Sequence, residues 1–368
     1  MAKAKGEYDY SHEVYEAMQT CLACKACTTG CPIKVDVPTF RSRFLNIYHG
    51  RYLRPIKDYF VAYVESYAPL MAKAPRLFNS LMEPKWISQL ITKFIGMVDI
   101  PSLSYPTLAK RLPESLVSKY DFKALQGLTE QQKQKTVLVV QDPFTTFYEA
   151  ELVEDFVKLA KLLGITPVLL PFKPNGKPQH IKGFLSKFNK SAQTSAAFLN
   201  QVAELGIPMV GVEPALVLCY RDEYKHALGE QRGDFVVQVV QEWLDALAPE
   251  VGEQLQASDK ETWYLFGHCT EKALKADAFK QWQKVFQRFG ASLEDVAVGC
   301  CGMAGTYGHD AKQYETSKAI YDLSWKQKMA ELPRERCMVT GYSCRSQVKR
   351  LEGAKPKHPL QILLTVLS

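Results

Sequence analysis

Two textures of apolar patterning divide the chain. From about Tyr59 to Pro113 the large apolar residues Phe60, Leu70, Leu77, Phe78, Leu81, Trp86, Ile91, Phe94 and Ile95 recur at helical spacing, with prolines interrupting them. This predicts a collar of short helices, serving either as internal core or as a docking surface for a partner or a membrane. After the polar stretch GLTEQQKQK the texture changes. Thr136 to Val140 (TVLVV) is a β-branched run of the kind buried in a parallel sheet. Leu152, Phe156, Leu159 and Leu163 then mark a helix that Gly164 stops, and a strand, PVLLPF, follows. Strand, helix and strand in this order predict right-handed crossovers and an α/β domain.

The same order returns after the linker APEVGEQLQASDK. A strand WYLFG leads to a helix carrying Phe279, Trp282, Phe286 and Phe289, stopped by Gly290, and a strand VAVG that ends at Cys300. Further strands are expected at PMVGVEP in the first half and CMVTGYS in the second, so a duplication is the economical account. The expected architecture is α/β: a helical segment at 1–50 that carries a run of four cysteines, CLACKACTTGC, at ferredoxin-like cluster spacing, a helical collar at 51–130, and two parallel-sheet halves at 131–250 and 251–368.

Bulk properties narrow the function. The 368 residues are 46% apolar and 23% charged, an ordinary globular composition. A net charge of +7 is too weak and scattered to argue for nucleic acid. One basic run stands out, nine Lys or Arg against three Glu between Lys326 and His358, which reads as a solvated face or a local positive field. No apolar run serves as a signal peptide or spans a bilayer. A cytoplasmic protein is expected, with peripheral contact at the inner membrane as the one membrane role the collar allows.

The ten cysteines are the informative number. In a reducing compartment their grouping points to metal rather than disulfides. CLACKACTTGCP places Cys21, Cys24, Cys27 and Cys31 at the C-x2-C-x2-C-x3-C-P spacing of bacterial-type ferredoxins, where a tight loop aims thiolates at the corners of a four-iron, four-sulfur (4Fe-4S) cluster. Gly30 and Pro32 fit as turn and exit residues. Structural zinc sites usually use two separated knuckles instead. In two-cluster ferredoxins the fourth cysteine of a run serves the other cluster, so either Cys31 completes this one or a partner segment supplies the missing half.

A second set, Cys269, Cys300, Cys301 and Cys344, falls at the ends of expected strands in GHCTEKAL, VGCCGMAGTYG and VTGYSCRSQ. Loops at the carboxyl ends of parallel strands converge on one edge, so four thiolates can meet there and hold a second cluster. Gly302 and Gly305 are expected to let the backbone approach a bulky inorganic group. His268 and His309 flank this site, with a hydrogen-bonded structural role as the plainer reading. Cys219 and Cys337 read as buried small hydrophobes.

These motifs, with QTCLACKACTTGCPIKVDVPTFRSRFL and GVEPALVLCYRDEY, resemble the CCG-type cysteine-rich domain of heterodisulfide reductase B subunits and of the iron-sulfur subunits of glycolate oxidase and anaerobic glycerol-3-phosphate dehydrogenase. They are more similar still to the C-terminal iron-sulfur half of FAD-linked oxidases of the D-2-hydroxyglutarate dehydrogenase type. The resemblance implies electron transfer by an oxidoreductase component. FAD would reside on a partner subunit or upstream domain, since this chain has no G-x-G-x-x-G, P-loop or flavin signature, and the electrons would pass to a quinone or other acceptor.

Arg345, Lys349 and Arg350 would then favour the reduced state of the second site. The family's first-half cysteines correspond to Pro143, to Pro174 and Asn175, and to Leu216, so that half is expected to keep its fold without metal. Pro143 to Pro174 spans 31 positions, as does Cys269 to Cys300. The family's final C-x-x-C is here Gly341 to Cys344, one ligand short. Two rival classes are a thiol-disulfide enzyme acting through Cys300 and Cys301, and a structural zinc module.

Overall fold

The computed structural model describes residues 11–368, so the first ten residues of the expected 1–50 segment lie outside it. Among the described residues eight strands form two all-parallel sheets. The first contains β1 (Ser118–Lys119), β2 (Thr136–Val140), β3 (Thr166–Leu169), β4 (Met209–Gly211) and β5 (Val237–Val239) in the order β1-β3-β2-β4-β5. The second contains β6 (Thr262–Phe266), β7 (Ser292–Asp295) and β8 (Cys337–Val339) in the order β7-β6-β8. In both, the earliest long strand is central, with the next two on either side.

Burial explains why TVLVV is continuously apolar. Val137 and Val139 enter one core cluster with Phe156, while Leu138 and Val140 enter another with Phe188, so the sheet is covered on both faces. The expected helix at Leu152 to Leu163 spans Ala150–Leu162, and that at Phe279 to Phe289 spans Ala278–Arg288.

One expected strand is displaced. VAVG is irregular, and the paired segment lies just before it at Ser292–Asp295. After Val296 donates to the Leu265 carbonyl the chain leaves the sheet, and Gly299 bonds instead to Trp325 and Ser324 at 3.0 and 3.1 Å. Edge strands β1 and β5 carried too little apolar pattern to be named from sequence.

The two sheets share a core. Phe156 and Trp243 from the first half pack in one cluster with Trp263, Trp282, Phe286 and Leu363 from the second. The C-terminal helix Pro359–Leu367 lies on Ala150–Leu162, where Gln361 donates to Asp155 at 2.8 Å.

The collar splits between its two roles. In helices Ile56–Ala62 and Val64–Met71, Val61, Ala62, Val64 and Ala68 are buried. Helices Pro75–Met82 and Lys85–Phe94 instead turn Leu77, Leu81, Trp86, Leu90 and Phe94 outward, each 43–67% exposed. Pro75 and Pro84 stand at the starts of these two helices, while Pro69 is accommodated inside Val64–Met71. Among the described residues no helix is long and apolar enough to cross a membrane.

Before the collar, helix Ser11–Gln19 packs on Val37–Tyr48, with Tyr15 stacked on Tyr48 at 4.4 Å. Arg41 ties this segment to the first half, donating to Met18 at 2.8 Å and to Ile181 at 3.0 Å.

Candidate functional site

The first cysteine run is a curled loop followed by the short helix Ala26–Gly30. Ala23 and Lys25, on either side of Cys24, have φ of 52° and 64°, and Lys34 has 53°. Such left-handed non-glycine residues cost about 1–2 kcal/mol each. Gly30 is not among the positive-φ residues, so the curl is made by side-chain-bearing residues rather than by the glycine.

All four thiols are half-buried. Ala23 N–H lies 3.5 Å from Cys21 Sγ. The Val35, Ile33 and Lys34 amides surround Cys31 and hold its thiol below the usual range. Burial pushes the Cys24 thiol up, with the Ala26 N–H opposing it.

The second group assembles from three strand ends. Cys269 opens helix Cys269–Leu274 after β6, and Cys344 lies in the first turn of Tyr342–Glu352 after β8. Cys300 and Cys301 lie on the loop that follows β7. Cys301 Sγ is 3.3 Å from Cys344 Sγ.

Cys269 and Cys301 both hydrogen-bond to the Cys300 sulfur, and the Gly302 N–H approaches it at 3.4 Å. Those donors hold Cys300 well below the ordinary thiol range, and the same bonds raise Cys269 and Cys301. Helix Ala26–Gly30 packs against helix Cys269–Leu274, which brings Cys24 within electrostatic reach of Cys269 and Cys300. The two cysteine groups therefore adjoin.

Gly302 acts differently from expectation. Its φ is +84° and a Cβ there would sit 2.0 Å from the Ser317 carbonyl oxygen, so it makes room for a neighbouring helix. Gly305, with φ +65° and nothing within 4 Å of a built Cβ, is the one that faces open space.

His268 caps its helix by accepting the Thr270 N–H at 3.2 Å, and burial lowers its pKa to about 4. His309 Nδ1 lies 3.0 Å from both the Val98 carbonyl and Arg350. Both histidines are held structurally. Cys219 and Cys337 are buried, as expected of small hydrophobes.

Pro143 and Leu216 occupy the places of Cys269 and Cys344: the first residue of the helix after β2 and the third of the helix after β4. In the intervening loop Asn175 and Gly176 donate their N–H groups to Glu65 of the collar at 2.7 and 2.8 Å. A cavity of about 120 Å³ lies where the first cysteine loop, the collar and both halves meet, lined by Cys24, Cys269, Tyr67, Glu213, Leu216 and Tyr342 among others.

The sequence did not single out these acids. The signal was a lone Glu inside each of two apolar runs, VAYVESYA and VGVEPALV, since fully buried acids are rare without partners.

The basic residues near the second group supply less field than expected. Arg345 is fully buried, with Nη2 2.5 Å and Nε 3.1 Å from the Glu149 carboxylate. Arg350 pairs with Asp99 at 2.9 Å, and Lys349 is exposed. Ion pairing neutralises two of the three.

Glu213 accepts the Tyr342 N–H at 2.8 Å, and burial raises its pKa to about 8. The folded state therefore keeps a proton that the unfolded chain releases near its ordinary value of 4.5, so the contribution of Glu213 to stability is lost as pH rises from about 4.5 to about 8. Glu213→Gln retains an acceptor for Tyr342 and is expected to flatten this loss, as measured by urea unfolding across that window. An unchanged slope would refute the assignment.

Among the described residues, only Asp36, Asp222 and His226 bring three such ligand atoms within 4.8 Å of one another; no three cysteine sulfurs do. Tetrahedral zinc with bonds of about 2.3 Å needs sulfurs ~3.8 Å apart. The Cys301 and Cys344 sulfurs lie 3.3 Å apart, but no third sulfur joins them within 4.8 Å, so the convergence is pairwise rather than tetrahedral.

Over 363 residues, covering 99% of this chain, it is 59% identical to D-2-hydroxyglutarate dehydrogenase of Escherichia coli K12. It is 50% identical over 371 residues to the protein of that name from Haemophilus influenzae. The chain spans about a third of these relatives, 36% of each. A more distant similarity, 24% identity over 232 residues, covers 61% of this chain and 57% of the C subunit of anaerobic glycerol-3-phosphate dehydrogenase from E. coli K12. No protein-family model matches the chain. No solved structure matches it.

Proposed function

We propose that this chain is the iron-sulfur electron-transfer part of an FAD-linked D-2-hydroxy acid dehydrogenase, delivering electrons to a quinone or other acceptor. In this reading 1–50 is a ferredoxin-type segment, 51–130 a collar, and 131–250 and 251–368 a duplicated CCG-type domain whose first half has lost its cysteines. The supporting observation is the convergence of Cys269, Cys300, Cys301 and Cys344, with the first cysteine helix packed against them. It occurs in a chain whose close relatives carry the dehydrogenase name.

Cys21, Cys24, Cys27 and Cys31 would hold one cluster, and Cys269, Cys300, Cys301 and Cys344 a second. A 4Fe-4S cluster carries single electrons without making or breaking substrate bonds. The backbone amides around Cys31 favour thiolate, the form that ligates iron. The apolar collar residues Phe60 and Val64 line the cavity beside Cys24 and Cys269 and limit water there. FAD belongs to a partner or an upstream domain.

The test is anaerobic reconstitution with iron and sulfide, followed by metal analysis and electron paramagnetic resonance (EPR). Brown protein with about four irons per occupied site, reduced by D-2-hydroxyglutarate through the flavoprotein portion, is expected. Colourless protein carrying stoichiometric zinc would overturn the proposal.

A further inference from the structure

Lys25 lies between two cysteines of the first run, yet its side chain is only 1% exposed. Its ammonium is 2.6 Å from Asp36 Oδ2, 2.6 Å from Asp222 Oδ2, 3.3 Å from Thr39 Oγ1 and 4.0 Å from Glu223 Oε1. Asp36 caps helix Val37–Tyr48, accepting the Thr39 N–H at 3.0 Å. Asp222 and Glu223 belong to the first α/β half, at the junction of helices Pro214–Arg221 and Glu223–Leu228. Glu223 also pairs with Lys177. Two cations and three carboxylates thus form a mostly buried network joining the cysteine loop to the half that has no cysteine at the ligand places.

Three observations argue that the network serves the loop. Lys25 adopts φ +64°, where glycine would be cheaper, so a lysine there is explained by what its side chain reaches. The carboxylates of Asp36 and Asp222 resemble a cation site with His226, but the ammonium already lies between them. Asp222 and Glu223 also account for the end of GVEPALVLCYRDEY, a motif that ligation leaves unexplained.

We infer that Lys25 is a positioning residue for the first cysteine site: its ammonium, gripped by Asp36, Asp222 and Glu223, holds the Cys21–Cys31 loop in ligating shape and makes the first half the loop's scaffold. The inference rests on the proposal that this run holds a cluster.

Lys25→Met and Asp222→Asn, each made in the full chain and reconstituted anaerobically, test it. Outer groups that orient ligands typically contribute 10–100-fold to metal affinity, so Lys25→Met is expected to lose first-site iron to a chelator at least ~10-fold faster than wild type. The signal followed is the one that Cys24→Ser removes. Its midpoint potential should fall in Lys25→Met, where a buried positive charge is gone, and rise in Asp222→Asn, where a negative one is gone. A merely structural role does not yield opposite signs. If Lys25→Met does not fold, the Asp222→Asn shift decides. Chelator rates within ~2-fold of wild type, or potentials that stay put or move together, overturn the inference. Wild type that takes up no iron overturns the proposed function instead.

Discussion

Glu149→Gln is expected to destabilise the chain by about 3–5 kcal/mol, a large share of the ~5–15 kcal/mol that domains possess. Glu149 is 3% exposed and stands at the start of helix Ala150–Leu162. Arg345, 196 residues later and fully buried, grips both of its oxygens, and Lys355 adds a contact at 2.6 Å. Arg345 also donates to the Val339 and Thr340 carbonyls at 3.1 and 2.6 Å. Removing the carboxylate charge strands the buried Arg345 guanidinium in the joint between the halves and takes a partner from the part-exposed Lys355.

Replacing both partners, as in Glu149→Met with Arg345→Leu, should recover much of the loss, because breaking a buried pair costs more than deleting it. Arg345 and Lys355 hold the Glu149 carboxyl below its ordinary range despite burial. Its contribution is therefore present above pH 4.5 and is lost as pH falls below that value. Chemical denaturation of the single and double variants at neutral and acid pH checks both statements. An additive double variant would refute the coupling.

Cys24→Ser and Cys301→Ser are expected to produce the largest functional losses, each removing about four irons and one EPR signal while leaving the other site filled. Serine nearly conserves the side-chain volume, but its hydroxyl stays protonated at neutral pH and does not replace a thiolate ligand, so ligation fails without a large cavity forming. Cys301 Sγ lies 3.3 Å from Cys344 Sγ, so its replacement alters the centre of the second group.

Cys337→Ser is the control. That thiol is buried on β8, 3.4 Å from the Pro333 carbonyl, and its replacement should leave iron content unchanged. Metal analysis and spectra of the three variants decide the matter. If Cys301→Ser leaves both iron and spectrum untouched, no second cluster exists, and if Cys24→Ser does so the first is refuted.

Periodicity was enough for the central strands and their helices, because a segment covered on both faces must be apolar throughout: TVLVV and WYLFG announce themselves that way. The cysteine groups were legible for a related reason, since residue type and spacing are local features of the sequence. Carboxyl-end loops of parallel strands then bring Cys269, Cys300, Cys301 and Cys344 together wherever the connections are right-handed.

Tertiary structure alone decided what depends on partners distant in sequence. It turned Leu77, Trp86 and Phe94 outward, because exposure of an amphipathic face depends on whether another element covers it. It converted Arg345 from a field source into a neutralised strut, because only folding brings Glu149 against it. It buried Lys25 among Asp36, Asp222 and Glu223, since a charge pattern along the chain does not specify which opposite charges will share its interior.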